Sequence, residues 1–114
     1  MTTDKYFFES QLVPTTYEFD VYRYCWYMGR DVPGVYMFAS MEKDIDWYIY
    51  YVGQASRLRK RLRNHERWSE AIANGATTLL VCEVASKVLR DLLEIELIRW
   101  WRPDLNKQLN NEFL

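Results

Sequence analysis

The sequence predicts an α+β domain: a small three-stranded antiparallel sheet flanked by helices. Three observations predict it. Gly34-Val35-Tyr36 and Tyr51-Val52-Gly53 mirror each other across a short polar spacer, as the two strands of a hairpin do. Thr77–Val84 is short, apolar and β-branched, which suits a third, central strand. Leucines recur at helical spacing on either side of that strand, at Leu58 and Leu62 before it and at Leu89, Leu93 and Leu97 after it.

With 114 residues, 49% hydrophobic and 27% charged, the chain suits one globular domain with its own core. The formal net charge is −1, but residues 1–56 are net −4, residues 57–67 net +5 and residues 68–114 net −2. A neutral total therefore hides one concentrated positive block. Cys25 and Cys82 make no Cys-x-x-Cys spacing, and His65 is the one histidine, which argues against a zinc site. No basic-then-apolar leader is visible, and no apolar run approaches the ~20 residues of a membrane span. The expectation is a soluble, cytoplasmic protein with reduced thiols.

Along the chain, Tyr17–Met28 is dense in rings. Phe19, Tyr22 and Trp26 fit a helical spacing, whereas Tyr17, Phe19 and Val21 fit strand alternation; the reading taken is a helix ended by Gly29. Nine of the nineteen aromatics precede residue 28. Residues 1–30 are thus expected to form an aromatic-rich extension packed on or beside the core, the alternative being an exposed surface for bases or a partner protein. The main domain then spans 31–107, with the hairpin tip in Met41–Asp46.

Ser56 stands where a helix N-cap belongs, and Leu58, Leu62, Trp68 and Ile72 mark the buried side of a helix running to about Asn74. Arg57, Arg61 and His65, at i, i+4 and i+8, share one flank of it. Asn74-Gly75 is a stop. Ser86 caps a last helix that ends before Arg102-Pro103, with Leu89, Leu93, Leu97 and Trp100 as its core stripe. Residues 108–114 form a polar tail.

The plain reading of the Arg57–Arg67 block is a solvated helix face. Against it, the charges are nearly all of one sign and follow a tight turn at Gly53-Gln54-Ala55, where backbone and helix start can face an anion. Glu94 lies in a mostly apolar stretch. Such a carboxylate either reaches solvent, pairs with Arg90 or Arg99, or holds a hard cation such as Mg²⁺ together with waters and phosphate oxygens. Tyr36 and Tyr51, taken alone, are ordinary sheet tyrosines.

These elements together resemble the GIY-YIG nuclease superfamily. Gly34-Val35-Tyr36, Tyr51-Val52-Gly53, Leu58-Arg59-Lys60-Arg61-Leu62, Glu94-x-x-Leu97-Ile98, Pro103 and Asn106 come in the family's order and approximate spacing. The chain is most similar to the N-terminal incision domain of the bacterial excision-repair endonuclease subunit, over roughly residues 33–107. The resemblance implies a GIY-YIG endonuclease fold and a metal-dependent DNA endonuclease, with DNA repair among its settings. Tyr36 would lie near the attacking water as base or orienter, Tyr51 near the scissile phosphate, and Arg61 on that phosphate. Glu94 would be the one protein ligand of Mg²⁺ or Mn²⁺, and Asn106 would buttress the site. His65 matches a position where several members have a catalytic histidine. Gln54, Arg57, Arg59, Lys60 and Arg63 are then the candidate DNA contacts. Gln54 departs from the lysine usual in the excision-repair members, which removes one cation.

Phosphodiester hydrolysis needs an in-line water, a proton acceptor and positive charge for the phosphorane. A free tyrosine titrates near ~10, so Tyr36 serves as a base only if nearby cations lower it; the alternative acceptor is His65. A single site cuts one strand at a time, so the expected product is a nick unless a homodimer forms. The rival reading is a catalytically weak nuclease-fold module that binds nucleic acid or a protein partner, in defence or counter-defence.

Overall fold

Gly34–Glu42 and Asp46–Ala55 pair antiparallel as the expected hairpin, with Tyr36 opposite Gly53. They are the third and fourth of five strands in a computed structural model that describes residues 4–23, 27–42 and 46–106. The elements in chain order are β1 (Lys5–Glu9), β2 (Thr16–Arg23), β3 (Gly34–Glu42), β4 (Asp46–Ala55), α1 (Leu58–Arg63), α2 (Trp68–Ala73), β5 (Thr78–Glu83) and α3 (Lys87–Trp101), then a 3-10 turn at Asp104–Asn106. The sheet order is β1-β2-β5-β3-β4, and every neighbouring pair is antiparallel. Fold class and hairpin are as the sequence predicts, but the sheet has five strands instead of three.

The two extra strands come from the aromatic N-terminal stretch. β2 is a strand where a helix was expected: Tyr17, Phe19 and Val21 alternate inward, and β2 pairs with the free side of β5 from Asp20↔Val81 to Arg23↔Thr78. The cross-strand hydrogen bonds decide between two periodicities that the side chains satisfy equally. Tyr24, Cys25 and Trp26, the rest of that expected helix, lie outside the described residues, as do residues 43–45 of the spacer and the tail from residue 107.

Alternation along β3 sends side chains to two cores. Val35, Met37 and Ala39 join Phe19, Val52 and Leu80 against Leu93, Leu97 and Ile98 of α3. Tyr36 and Phe38 face the other way, with Leu79 and Val81, against Leu58 of α1 and Ala71 of α2. Gly34 permits that second packing, because a Cβ there would stand 2.6 Å from a Leu58 methyl and 2.5 Å from the Cys82 carbonyl oxygen. The α3 stripe is shifted from the expected one: Leu89 and Trp100 are exposed, while Arg90, Glu96 and Ile98 are buried.

Glu96 explains how the N-terminal hairpin is fastened. Its carboxylate accepts Ser10 Oγ–H at 2.7 Å and the Gln11 N–H at 2.5 Å, so the β1–β2 loop is tied to α3 by a buried acceptor with both oxygens in use. Ser86 caps α3 as expected, its Oγ accepting from the Leu89 N–H at 3.2 Å.

The expected single helix from Ser56 is two short ones. α1 starts after Arg57, which gives no side-chain cap, and Ser56 lies outside it. The role falls to Asp31, whose Oδ1 accepts the Lys60 N–H at 3.1 Å. Asn64 to Arg67 break the path, and α2 then ends at Asn74 and Gly75, the glycine at φ +115°.

Candidate active site

Tyr51 reaches the same face as Tyr36 because β4 carries a bulge. Phe38 lies opposite Tyr51 and Ala39 opposite Ile49, so Tyr50 is the extra residue. Without it, strict alternation from Ile49 would aim Tyr51 at the α3 side, with Trp47 and Ile49. With it, Tyr36, Phe38 and Tyr51 form one aromatic floor, the Phe38 and Tyr51 rings stacked at 5.7 Å and the Tyr36 and Tyr51 rings 6.3 Å apart. Gly53 leaves the space over which the Tyr36 ring lies; a Cβ there would stand 2.6 Å from Tyr36 Cζ and Oη.

The break between α1 and α2 supplies the histidine. His65 therefore shares no continuous helix flank with Arg61, but the two still converge. The His65 side chain is fully buried and edge-on to Tyr36, Phe38 and Tyr51, with centroids 5.0 to 5.4 Å away. Its Nε2 lies 2.7 Å from Tyr36 Oη, and its Nδ1 accepts the Arg67 N–H at 3.0 Å. Arg61 makes a two-pronged pair with Glu66 at 2.7 and 2.8 Å.

Glu94 and Gln54 meet at the α3 end of the hairpin. Gln54 Nε2 donates to Glu94 Oε1 at 3.0 Å and to Asp91 Oδ1 at 2.6 Å. Its Oε1 accepts Arg90 Nε–H at 3.2 Å, while Arg90 Nη1 donates to the Val84 and Ala85 carbonyls. Arg90 thus serves Gln54 and the backbone, not Glu94 as one sequence reading had it. Asn106 pairs with the edge strand like a further strand residue: Val52 N–H donates to its Oδ1 at 2.8 Å, and its Nδ2 donates to Val52 O at 2.9 Å. This buried exchange holds β4 next to Tyr51.

The electrostatics join the two ends. Burial raises the Tyr36 hydroxyl well above a free tyrosine, Tyr51 adds to this, Arg61 opposes it, and Glu66 and Glu94 reinforce it. Tyr51 is raised by burial too, with Arg61 opposing and Glu94 reinforcing. The Arg61 guanidinium therefore acts on both hydroxyls in one direction, and the Glu66 and Glu94 carboxylates act on both in the other. Arg61 lowers both hydroxyls, but in the chain alone desolvation outweighs it. Burial, then Arg61, push His65 down to about 4, so it is neutral at pH 7. Burial also raises Glu94, against the Gln54 hydrogen bond.

Solved structures share this arrangement of elements. The GIY-YIG N-terminal endonuclease domain of UvrC from Thermotoga maritima, bound to magnesium as its catalytic divalent cation, is 29% identical, with a TM-score of 0.56 over 69% of this chain and 88% of that one. A Tyr→Phe point mutant of that domain, also with its catalytic divalent cation, is 30% identical over 69% and 87% of the two chains, with a TM-score of 0.54. The chain belongs to the GIY-YIG nuclease superfamily. No protein-family model matches it, and no curated protein sequence does.

Among the GIY-YIG candidate residues, Tyr36, Tyr51 and His65 come together directly, and Arg61 acts on all three through its charge. Glu94 joins them through its field, and Asn106 through β4. The basic block is less free than its sequence implies. Arg57 pairs with Asp31 at 2.7 Å, Arg61 with Glu66 and Arg67 with Glu70, and Arg59 donates to the Gly29 carbonyl. The arginines do gain from pairing here, through Glu66 within the run and Asp31 and Glu70 outside it. Lys60 and Arg63 are exposed, and Asp31 already fills the helix start that an anion was expected to face.

Sequence reasoning missed Asp91 and Glu66, and it named Arg90 only as a partner of Glu94. Asp91 was legible, being one helical turn before Glu94. Among the described residues no three His, Cys, Asp or Glu side chains group as a metal site. The donor set nonetheless fits a hard cation that takes most of its ligands from water and phosphate: Glu94 is half-buried, accepts from the Gln54 amide and has Asp91 across that amide.

Proposed function

We propose that this GIY-YIG domain is a divalent-metal-dependent DNA endonuclease that nicks one strand per active site. The observation that carries the reading is the buried cluster in which His65 Nε2 lies 2.7 Å from Tyr36 Oη with the Tyr51 ring beside both, the charges of Arg61 and Glu94 acting on the two hydroxyls. Glu94 would hold Mg²⁺ or Mn²⁺, with Asp91 next to it across the Gln54 amide. When bound, the cation would neutralise charge on the leaving oxygen and polarise phosphate oxygens.

The chain's own groups do the rest. Arg61 exchanges Glu66 for a phosphate, whose paired oxygens suit the same guanidinium fork. Tyr36 orients the attacking water through its hydroxyl, and Tyr51 contacts the phosphate from the neighbouring strand. Asn106 holds Tyr51 in place through Val52. Arg57, Arg59, Lys60 and Arg63 track the DNA backbone outside the site, and Gln54 sets the Glu94 carboxylate. The similarity to the endonuclease domain of UvrC supports a nuclease, and the cation in that structure supports the metal.

The test is nicking of supercoiled plasmid in Mg²⁺ and Mn²⁺ by wild type, Glu94→Ala and Arg61→Ala. Each variant should lose about 3 kcal/mol of transition-state stabilisation or more, a hundredfold in rate, by analogy with lost electrostatic donors. Equal activity in all three overturns the assignment.

One observation favours a second reading, a nuclease fold that binds DNA weakly and cuts poorly. Three of the block's arginines are already neutralised by Asp31, Glu66 and Glu70. That reading expects salt-sensitive binding and no cleavage at any metal concentration.

A further inference from the structure

The one histidine of the chain has both ring nitrogens committed, and the two commitments fix where its proton lies. Nδ1 faces the Arg67 backbone N–H at 3.0 Å. A backbone N–H can only donate, so Nδ1 must carry its lone pair. A neutral imidazole then has its single proton on Nε2, the atom 2.7 Å from Tyr36 Oη.

We propose that His65 is a positioning residue of this site: Nε2–H donates to Tyr36 Oη, the Arg67 N–H fixes that tautomer, and His65 does not take the reaction's proton. The proposal rests on the nuclease reading above and assigns His65 a role within it. The opposite tautomer would set an Nδ1–H against the Arg67 N–H, two donors 3.0 Å apart in a buried pocket, while Glu66 Oε2 lies 4.0 Å from Nδ1, beyond hydrogen-bond reach and held by Arg61. The doubly protonated ring meets the same conflict. It would also sit fully buried against Tyr36, Phe38 and Tyr51, with Arg61 and Arg67 adding like charge and Glu66 as the opposing carboxylate.

The consequence falls on Tyr36. A phenol O–H lies near the ring plane and has two favoured directions. His65 Nε2–H occupies the lone-pair side of one, so the Tyr36 proton takes the other, away from His65. Tyr36 therefore presents a donor to a phosphate oxygen or to the attacking water. If negative charge builds on Oη, one fixed N–H already points at it, with no reorganisation needed. A histidine acting as base would need the reverse wiring, with the Tyr36 proton aimed at an empty Nε2. Arg67 has a part here that its charge does not reveal, since its backbone N–H sets the histidine.

The chain holds a single histidine, so a long-range ¹H–¹⁵N correlation spectrum of uniformly ¹⁵N-labelled protein at pH 7 reads both ring nitrogens without assignment. The expected result is a protonated, pyrrole-like Nε2 and an unprotonated, pyridine-like Nδ1. A protonated Nδ1, alone or together with Nε2, overturns the proposal. A second arm uses plasmid nicking. The His65→Gln amide can donate to Tyr36 but cannot act as a base, so it should recover most of what His65→Ala loses. If His65→Gln is as impaired as His65→Ala, by the ~10²–10⁴-fold of a lost acid–base group, the donor role fails. Absence of nicking by wild-type protein overturns the nuclease reading instead, and the spectrum still decides the tautomer.

Discussion

Gly53→Ala is the substitution that most directly tests whether the motif glycine serves the tyrosine. The added Cβ would stand 2.6 Å from Tyr36 Cζ and Oη and 2.9 Å from a Tyr51 ring atom, where ordinary contact begins at 3.4 Å. Gly53 does not have a positive φ, so alanine brings no backbone strain, and the whole effect passes to the rings. Tyr36 is 1% exposed and held at Oη by His65, so it must shift by about 1 Å or the strands must part. Overpacking of this kind costs about 1–3 kcal/mol, which lowers the melting temperature by roughly 4–12 °C in a domain of this size. A displacement of about 1 Å at a reacting group costs about a hundredfold in rate. Urea unfolding and plasmid nicking measure the two effects. The pair Gly53→Ala with Tyr36→Leu should be less destabilised than the sum of the singles, because the smaller side chain removes the clash. Strict additivity, or a Gly53→Ala protein as stable and active as wild type, would refute the reasoning.

Glu66→Gln frees Arg61 from its two-pronged partner. DNA affinity should rise, and the slope of log affinity against log salt should steepen by about 0.9, read by fluorescence anisotropy; an unchanged slope means that Arg61 meets no phosphate. Glu96→Ala leaves Ser10 Oγ and the Gln11 N–H without their buried acceptor. It should cost about 2–4 kcal/mol in urea unfolding, with nicking per folded molecule unaltered. His65 gives a pH signature. Its folded pKa of about 4 lies below the 6.5 of the unfolded chain, so the unfolded state binds more protons between those values, and stability falls as pH drops from 6.5 to 4. The loss from this one group is about 3 kcal/mol. Thermal melts of His65→Gln across that window should show a shallower slope than wild type, and equal slopes would place the acid sensitivity in the carboxylates alone.

How much was legible in the sequence depended on how far apart the interacting residues lie. The β3–β4 hairpin, β5 and α3 were legible because each carries its own turn chemistry and periodicity, as Gly34, Gly53 and the Ser86 cap show. β2 was not. Its inward Tyr17, Phe19 and Val21 fit two periods, and the choice is made by β5, some sixty residues later. The helix break at Asn64–Arg67 escaped because Leu58–Leu62 and Trp68–Ile72 each keep an i, i+4 step, although the six-residue step between the pairs leaves the stripe and Ile72, expected to be buried, is exposed. In the site, Tyr36, Arg61 and Glu94 were found through motif order. The bulge that turns Tyr51 toward them is visible in the sequence only as the Tyr50-Tyr51 doublet, which alternation alone cannot place on one face. In the basic block, the Arg61–Glu66 and Arg67–Glu70 pairs are local and could have been read from the sequence, whereas the Arg57–Asp31 pair spans 26 residues.

Gln54 looked like the weak point of the nuclease reading, since a lysine is usual at that place in the excision-repair members. The wiring around it argues otherwise. Its Oε1 accepts from the buried Arg90 guanidinium at 3.2 Å, while its Nε2 reaches Asp91 and Glu94. A lysine has donors but no acceptor, so it would set an ammonium against that guanidinium. An amide suits both neighbours, the guanidinium through its oxygen and the carboxylates through its nitrogen. The cation missing from position 54 has a counterpart one residue before Asp91, anchored to the Val84 and Ala85 carbonyls. Arg90 can therefore orient the amide without forming an ion pair with Glu94. Gln54 thus holds Glu94 and Asp91 through its amide nitrogen while its oxygen answers Arg90.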